Sequence, residues 1–338
     1  MRTKSAELDL MLILTESMYR KPLLEMPESV DWEAFIKLAR RNKFLYHATN
    51  LLLESQEAEL SDEIQNRFKA IQQTEAGIHA RMQRTLEVVN SVMGTEPYLL
   101  SKTWRVFPYV THDVDLIVHD LDRPRQLFEA AGYAAPSSAH PYSIWVREKG
   151  LLEIEPYLRP FAGPMAFMDD DFMWERSRKV VFEGVETVIP SAEVDILTHF
   201  ADMGFRLYEL LLGDMLHLFR MAPEADWDII MRQAEKHSWL GQLKKNVAVM
   251  NGFHRQLYGE PGPMEKFIPH IGTANVTLPY VTPVFQVIRA LKGKGWINLA
   301  KLVAYLSVKL KRFPRLHKFY TKVVMGYPEN LFLKYFYH

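Results

Sequence analysis

Asp113 and Asp115 stand two residues apart in Thr111-His-Asp-Val-Asp-Leu-Ile-Val118, where acidic and apolar residues alternate. In a β-strand, residues i and i+2 point to the same face, so this spacing sets two carboxylates side by side while Val114 and Leu116 enter a core. Paired carboxylates suit a hard divalent cation. Mg²⁺, or Mn²⁺ in the same role, takes one or two carboxylates together with substrate phosphates and water. A second ion roughly 3.5–4 Å from the first can clamp the attacking and leaving oxygens of an in-line phosphoryl or nucleotidyl transfer. Such a site usually wants a third carboxylate from a neighbouring strand. Glu153 and Glu155 in Leu-Glu-Ile-Glu-Pro156 have the same parity, so either or both can face the aspartates across a sheet. The alternative reading of Asp113-x-Asp115 is a solvated strand face or a cap for the next helix.

The elements that must hold these residues are readable from periodicity. Asp31 caps a helix carrying Trp32, Phe35, Ile36 and Ala39, and Tyr46 to Leu53 continues helical. A long helix begins at Ser61, repeats its apolar residues from Ile64 to Val92 and ends at Gly94. Short strands follow at Tyr98–Leu100 and around Val114–Val118, then a short helix from Pro124 to Ala131 closed by Gly132. Tyr142–Arg147 and Leu151–Leu158 form a hairpin across Lys149-Gly150, and Val180–Phe182 and Thr187–Ile189 form another across Glu183-Gly184. Helix restarts at Ser191 and continues through Leu207–Phe219 and Trp227–His237; Pro261 to Pro283 reads as a linker before basic helices at 284–292 and 297–311. The class is α+β.

Other chemistries find little support. The chain has 338 residues and no cysteine, which removes disulfide, thiolate-zinc, iron–sulfur and Cys-nucleophile readings. No H-E-x-x-H, G-x-S-x-G, Walker or G-x-G-x-x-G motif occurs. His140, His199 and His217 read as capping, core or surface residues, and His112 keeps a site role by adjacency to Asp113. Asp169-Asp170-Asp171 reads as a helix N-terminal cluster, and Asp214, Asp226 and Asp228 as caps or surface charges.

Several stretches in order resemble the uncharacterised nucleotidyltransferase family, a branch of the DNA polymerase β-like nucleotidyltransferase superfamily. They are Asp31-Trp-Glu with Leu38-Ala39, Leu99-Leu-Ser-Lys102, Asp113-Val-Asp-Leu-Ile-Val118, Ala131-Gly-Tyr133, Val188 to His199, Gly213-Asp214 and Asp226-Trp-Asp228. The resemblance covers about residues 30 to 250. It implies a small mixed sheet with flanking helices, which together with the periodicity divides the chain into a helical region 1–94, a core 95–190, a helical region 191–260 and a linker with basic helices over 261–338. It further implies Mg²⁺ on Asp113 and Asp115, Glu153 as the third carboxylate with Glu155 beside it, and transfer of a nucleotidyl group from an NTP to a small molecule, glycan intermediate or protein. The nucleotide would meet Ser101, Lys102, Arg105 and His112. Here the chain departs from the family, which has Gly-Gly or Gly-Ser in the loop where Ser101-Lys102 stands, and Gly where His112 stands.

Charge is unevenly spread. Forty-one Lys and Arg balance forty-one Asp and Glu, yet Lys266 to Pro328 holds no acid and eleven cations, among them Arg289, Lys301, Lys309, Lys311, Arg312 and Arg315. That asymmetry points to an anionic partner. A second reading of the whole chain follows: a catalytically degenerate scaffold whose basic segment meets a membrane surface or polyanion. Aromatics accompany the cations without an RNA-binding signature, which disfavours nucleic acid. The opening residues read as a first helix rather than a leader, so the expected location is cytoplasmic, with peripheral contact at the inner membrane surface.

Overall fold

The computed structural model describes residues 6–20, 27, 29–55, 60–135, 144, 146–158, 166–202, 212–268 and 271. Four helices come first: α1 Ala6–Arg20, α2 Trp32–Arg41, α3 Leu45–Glu54 and α4 Asp62–Met93. Asp31 caps α2 by accepting from the N–H groups of Glu33 and Ala34, and Ser61 caps α4 through Ile64 N–H. Each supplies an acceptor for N–H groups that have no partner inside the helix. Gly94 ends α4 with φ 59.

Strands β1 Tyr98–Leu100, β2 Asp113–Val118 and β3 Glu153–Tyr157 form a three-stranded mixed sheet with β2 central, antiparallel to β1 and parallel to β3. Helix α5, Asp122–Ala130, lies between β2 and β3 in the chain. Of the hairpin expected over Tyr142–Arg147 and Leu151–Leu158, the first arm is described at residues 144, 146 and 147 and meets β3 as an antiparallel bridge. Val146 and Ile154 exchange backbone hydrogen bonds at 2.9 and 3.0 Å, Ile144 N–H donates to Pro156, and Gly150 turns with φ 91. After the short α6, Asp170–Glu175, strands β4 Ser177–Phe182 and β5 Val185–Pro190 form a second hairpin through Glu183 and Gly184 at φ 49 and 76, the left-handed pair a tight two-residue turn demands. Helices α7 Ala192–Ala201, α8 Leu212–Met221, α9 Trp227–Lys236 and α10 Leu240–Tyr258 follow. The architecture is mixed α+β with two small sheets among many helices.

Strand alternation divides the interior. Val114, Leu116, Val118 and Ile154 join Met82, Leu86 and Val89 of α4 and Phe128 of α5 in one core. Leu99, Ile117 and Tyr157 join a second core built on α7 to α10. A third core unites α1, α2 and α3 with Phe68, and takes in Phe107, Leu212 and Leu216. Asp113 and Asp115 have the parity of Ile117, so they share the sheet face turned toward α7 and α8.

The expected linker begins inside the packed body. Pro263–Lys266 forms a 3₁₀ turn whose Met264 is fully buried with Ile268 against α10, because these apolar residues find a core there. The remainder of that stretch and the basic helices expected at 284–292 and 297–311 lie outside the described residues. Among the described residues, no helix is long and apolar enough to cross a membrane.

Candidate functional site

The end of β1 begins the site. Ser101 N–H donates to Asp115 C=O at 2.9 Å, and Asp115 N–H donates to Thr103 Oγ1 at 2.9 Å, so the loop after β1 pins the backbone of the second aspartate from both sides. Between these residues Lys102 adopts φ 60. A left-handed backbone costs a side-chain-bearing residue about 1 kcal/mol. Lys102 occupies that position, and its Nζ reaches Asp202 Oδ2 at 2.6 Å.

A second lysine repeats the pattern at the C-terminal end of α2. Asn42 closes the helix, Lys43 takes φ 56, and Phe44 N–H reaches back to Ala39 C=O at 2.9 Å. This corner receives α8. Leu212 N–H donates to Asn42 Oδ1 at 3.2 Å and Gly213 N–H to Asn42 C=O at 3.0 Å, which brings Asp214 Oδ1 to 3.7 Å from Lys43 Nζ. Arg105 Nη2 donates to the same oxygen at 3.0 Å while its guanidinium sits over Tyr109. Burial works to raise the Asp214 pKa, yet Lys43 and Arg105 hold it well below the usual carboxylate range. Asp214 in turn pushes the Lys43 pKa up. Asp214 is therefore an enclosed ion partner, not the cap or surface charge its helical position suggested.

These elements enclose a cleft of about 510 Å³, a volume ordinary for a small-molecule site. Its walls include Asp113 and Asp115 together with Arg40, Lys43, Lys102 and Arg105. His112, His199, Asp202 and Asp214 line it too. Asp113 is exposed and accepts from Thr111 Oγ1 at 2.5 Å, and Asp115 is half-buried. Both aspartates line the cleft and offer carboxylate oxygens, with cations on its other walls, a donor set that suits a hard divalent ion bound jointly with phosphate.

The glutamates stand in register with them, Glu153 opposite Asp113 and Glu155 opposite Asp115. Neighbouring strands run about 4.8 Å apart, so each Glu shares the face and level of its Asp. Glu153 is held by Arg147 Nε at 2.6 Å, and neither glutamate is among the residues lining the cleft. Of the expected nucleotide contacts, Lys102, Arg105 and His112 line the cleft, whereas Ser101 is buried and serves through its backbone.

Lys43, Asp202 and Asp214 were not read from the sequence as site residues. A single charge inside the apolar run Leu212-Gly-Asp-Met-Leu216 is a signal for Asp214, and the i, i+4 spacing of Asp195 and His199 marks another pair with linked roles. That pair meets His217 of α8 in a buried trio whose ligating atoms lie within 4.8 Å of one another. No family model matches the chain, and no curated protein matches it.

Proposed function

We propose that the chain is a Mg²⁺-dependent nucleotidyltransferase, moving a nucleotidyl group from an NTP to a hydroxyl or phosphate acceptor on a small molecule, glycan intermediate or protein. One observation carries this reading: Asp113 and Asp115 of one strand line a 510 Å³ cleft whose other walls carry Arg40, Lys43, Lys102 and Arg105 beside the acids Glu75, Asp202 and Asp214, the last two paired with Lys102 and with Lys43 and Arg105. A metal site beside a cluster of cations is the arrangement a triphosphate requires. The order of motifs along the chain, from Leu99-Leu-Ser-Lys102 to Asp226-Trp-Asp228, supports the polymerase β-like assignment of the sheet.

Asp113 and Asp115 would hold the ion, with Glu153 on the adjacent strand at the level of Asp113. When bound, the ion supplies charge neutralisation on the triphosphate and lowers the pKa of an acceptor hydroxyl. The chain's own groups do the rest. Lys102 and Arg105 offer charge where a glycine loop would offer backbone N–H groups, and both are already oriented by Asp202 and Asp214. Holding long cations in place beforehand reduces the entropy lost when they meet a phosphate.

The test is direct. Dissociation constants of ATP, GTP, CTP and UTP are measured with and without Mg²⁺ for the unaltered chain and for Asp113→Asn with Asp115→Asn. At least one nucleotide should bind in a Mg²⁺-dependent manner, and the double variant should lose about tenfold or more, or roughly 1.4 kcal/mol. Full Mg²⁺-dependent binding by the variant defeats the site assignment.

A further inference from the structure

Asp195, His199 and His217 are all at least nine-tenths buried, and of the three only His199 lines the cleft. Their hydrogen bonds have a definite polarity. Val106 N–H donates to His217 Nδ1 at 3.3 Å, so that nitrogen carries a lone pair and the ring proton resides on Nε2, which donates to Asp195 Oδ2 at 2.5 Å. Burial lowers the His217 pKa to about 4, in keeping with a neutral ring at pH 7. Asp195 remains ionised: burial opposes this, but the two imidazoles beside it hold its carboxyl well below the usual range.

On the other side, His199 Nδ1 is 2.9 Å from the Asp195 carbonyl oxygen and 3.3 Å from Asp195 Oδ1. Both are acceptors, so Nδ1 bears the proton. In the neutral ring His199 Nε2 is then a lone pair, and it is a buried nitrogen without a hydrogen-bond partner. Buried polar atoms are nearly always paired, and His199 Nε2, enclosed in the chain without ligand on a residue that lines the cleft, would meet an acceptor's proton once a ligand settles there. The trio could also be read as ligands of a cation. His217 argues against it, because its Nδ1 accepts a backbone N–H and its Nε2 holds the proton, leaving no lone pair for a metal. A metal-bound histidine has the opposite outer partner, an acceptor for its second N–H.

We propose that His199 is the general base of the cleft, with Asp195 and His217 as positioning residues that fix its tautomer. The proposal rests on the nucleotidyl-transfer reading. As the acceptor oxygen bonds to the α-phosphorus, its proton passes to His199 Nε2. The bond from that phosphorus to the bridging oxygen breaks, and pyrophosphate leaves with the electron pair. Asp195 stabilises the imidazolium, which then returns its proton to water. Asp202, Asp214, Lys43, Lys102 and Arg105 face the same cleft and set the field in which this transfer occurs.

Long-range ¹H–¹⁵N NMR of the histidine rings tests the tautomers in the full chain without nucleotide. The expected result is Nδ1–H on His199 and Nε2–H on His217; a proton on Nε2 of His199 overturns the proposal. Zinc titration should show no site that His199→Gln removes, and one equivalent of zinc lost in that variant also overturns it. For the chemistry, release of AMP and pyrophosphate from Mg·ATP with water as acceptor should fall about 100-fold in His199→Gln. Its Kd for Mg·ATP should stay within about twofold, and imidazole should restore turnover to His199→Gly. Undiminished turnover in His199→Gln defeats the base while the nucleotide reading stands. Absence of Mg·ATP binding and turnover in the unaltered chain defeats both.

Discussion

His47 stands edge-on to Phe44 and faces Phe107, with ring centroids 5.3 and 5.8 Å away, and its Nε2 is buried without a partner. Burial, reinforced by the charge of Arg220, lowers its pKa from 6.5 to about 4. The unfolded chain therefore takes up a proton near pH 6.5 that the folded chain refuses until about pH 4. Stability is full above the higher value and declines as pH falls through that window, by up to about 3 kcal/mol from this one residue. His217 contributes in the same direction. His47→Phe should flatten the dependence of Tm on pH between 6.5 and 4 and be more stable than the unaltered chain at the acid end; an unchanged slope contradicts this account. At this scale the shared strand face of Asp113 and Asp115 was legible from two-residue parity alone. Lys43 was not, because nothing in a residue's type announces that its backbone will turn left-handed and aim it at a helix far along the chain. Asp214 was misread as surface charge for the same reason, since its partners Lys43 and Arg105 come from elsewhere in the chain.

At the scale of elements, local signals held up well. The caps at Asp31 and Ser61, the Gly94 stop and the two-residue turn at Glu183-Gly184 are all local rules satisfied by local atoms. What periodicity could not supply is which helix end docks on which corner. The seating of α8 on the α2 terminus joins residues 170 positions apart through Asn42 and Leu212. It also depends on Gly213. A Cβ there would come within 2.8 Å of Asn42 C=O and 2.9 Å of Lys43 C=O, backbone oxygens that cannot rotate aside. Gly213→Ala should cost about 1–3 kcal/mol, by the same reasoning as overpacking a core. It should also weaken Mg²⁺-dependent nucleotide binding by moving Lys43 and Asp214. Gly241→Ala in α10 is the control, because nothing lies within 4 Å of the added carbon. There alanine should be neutral or stabilising by up to about 1 kcal/mol. Chemical denaturation of both variants decides, and equal midpoints contradict the docking argument.

For the molecule as a whole, the described body holds the sheet, the three cores and the cleft, while the acid-free stretch from Lys266 to Pro328 carries eleven cations. Net charge of zero conceals this division, and it has a measurable consequence. A segment with that charge excess gains about 1 kcal/mol per cation near an anionic lipid surface, an attraction that fades within a Debye length of about 10 Å at 0.1 M salt. Trp296, Leu299, Leu302, Val303, Tyr305 and Leu306 add apolar area at helical spacing beside Lys301 and Lys309. As a hypothesis, the full chain should co-sediment with phosphatidylserine-containing vesicles at low salt, much less with phosphatidylcholine vesicles, and should be released by raising salt. Replacing Lys309, Lys311, Arg312 and Arg315 with Gln should weaken that binding by at least tenfold. The described lining of the cleft comes from residues 40–218, so on the docking reading Mg²⁺-dependent nucleotide binding should persist in this variant. Equal sedimentation with both vesicle types, or retention by the neutralised variant, removes the membrane partner. Loss of nucleotide binding in the neutralised variant would instead tie the cations to the phosphate site, giving the charge asymmetry a catalytic rather than a docking role.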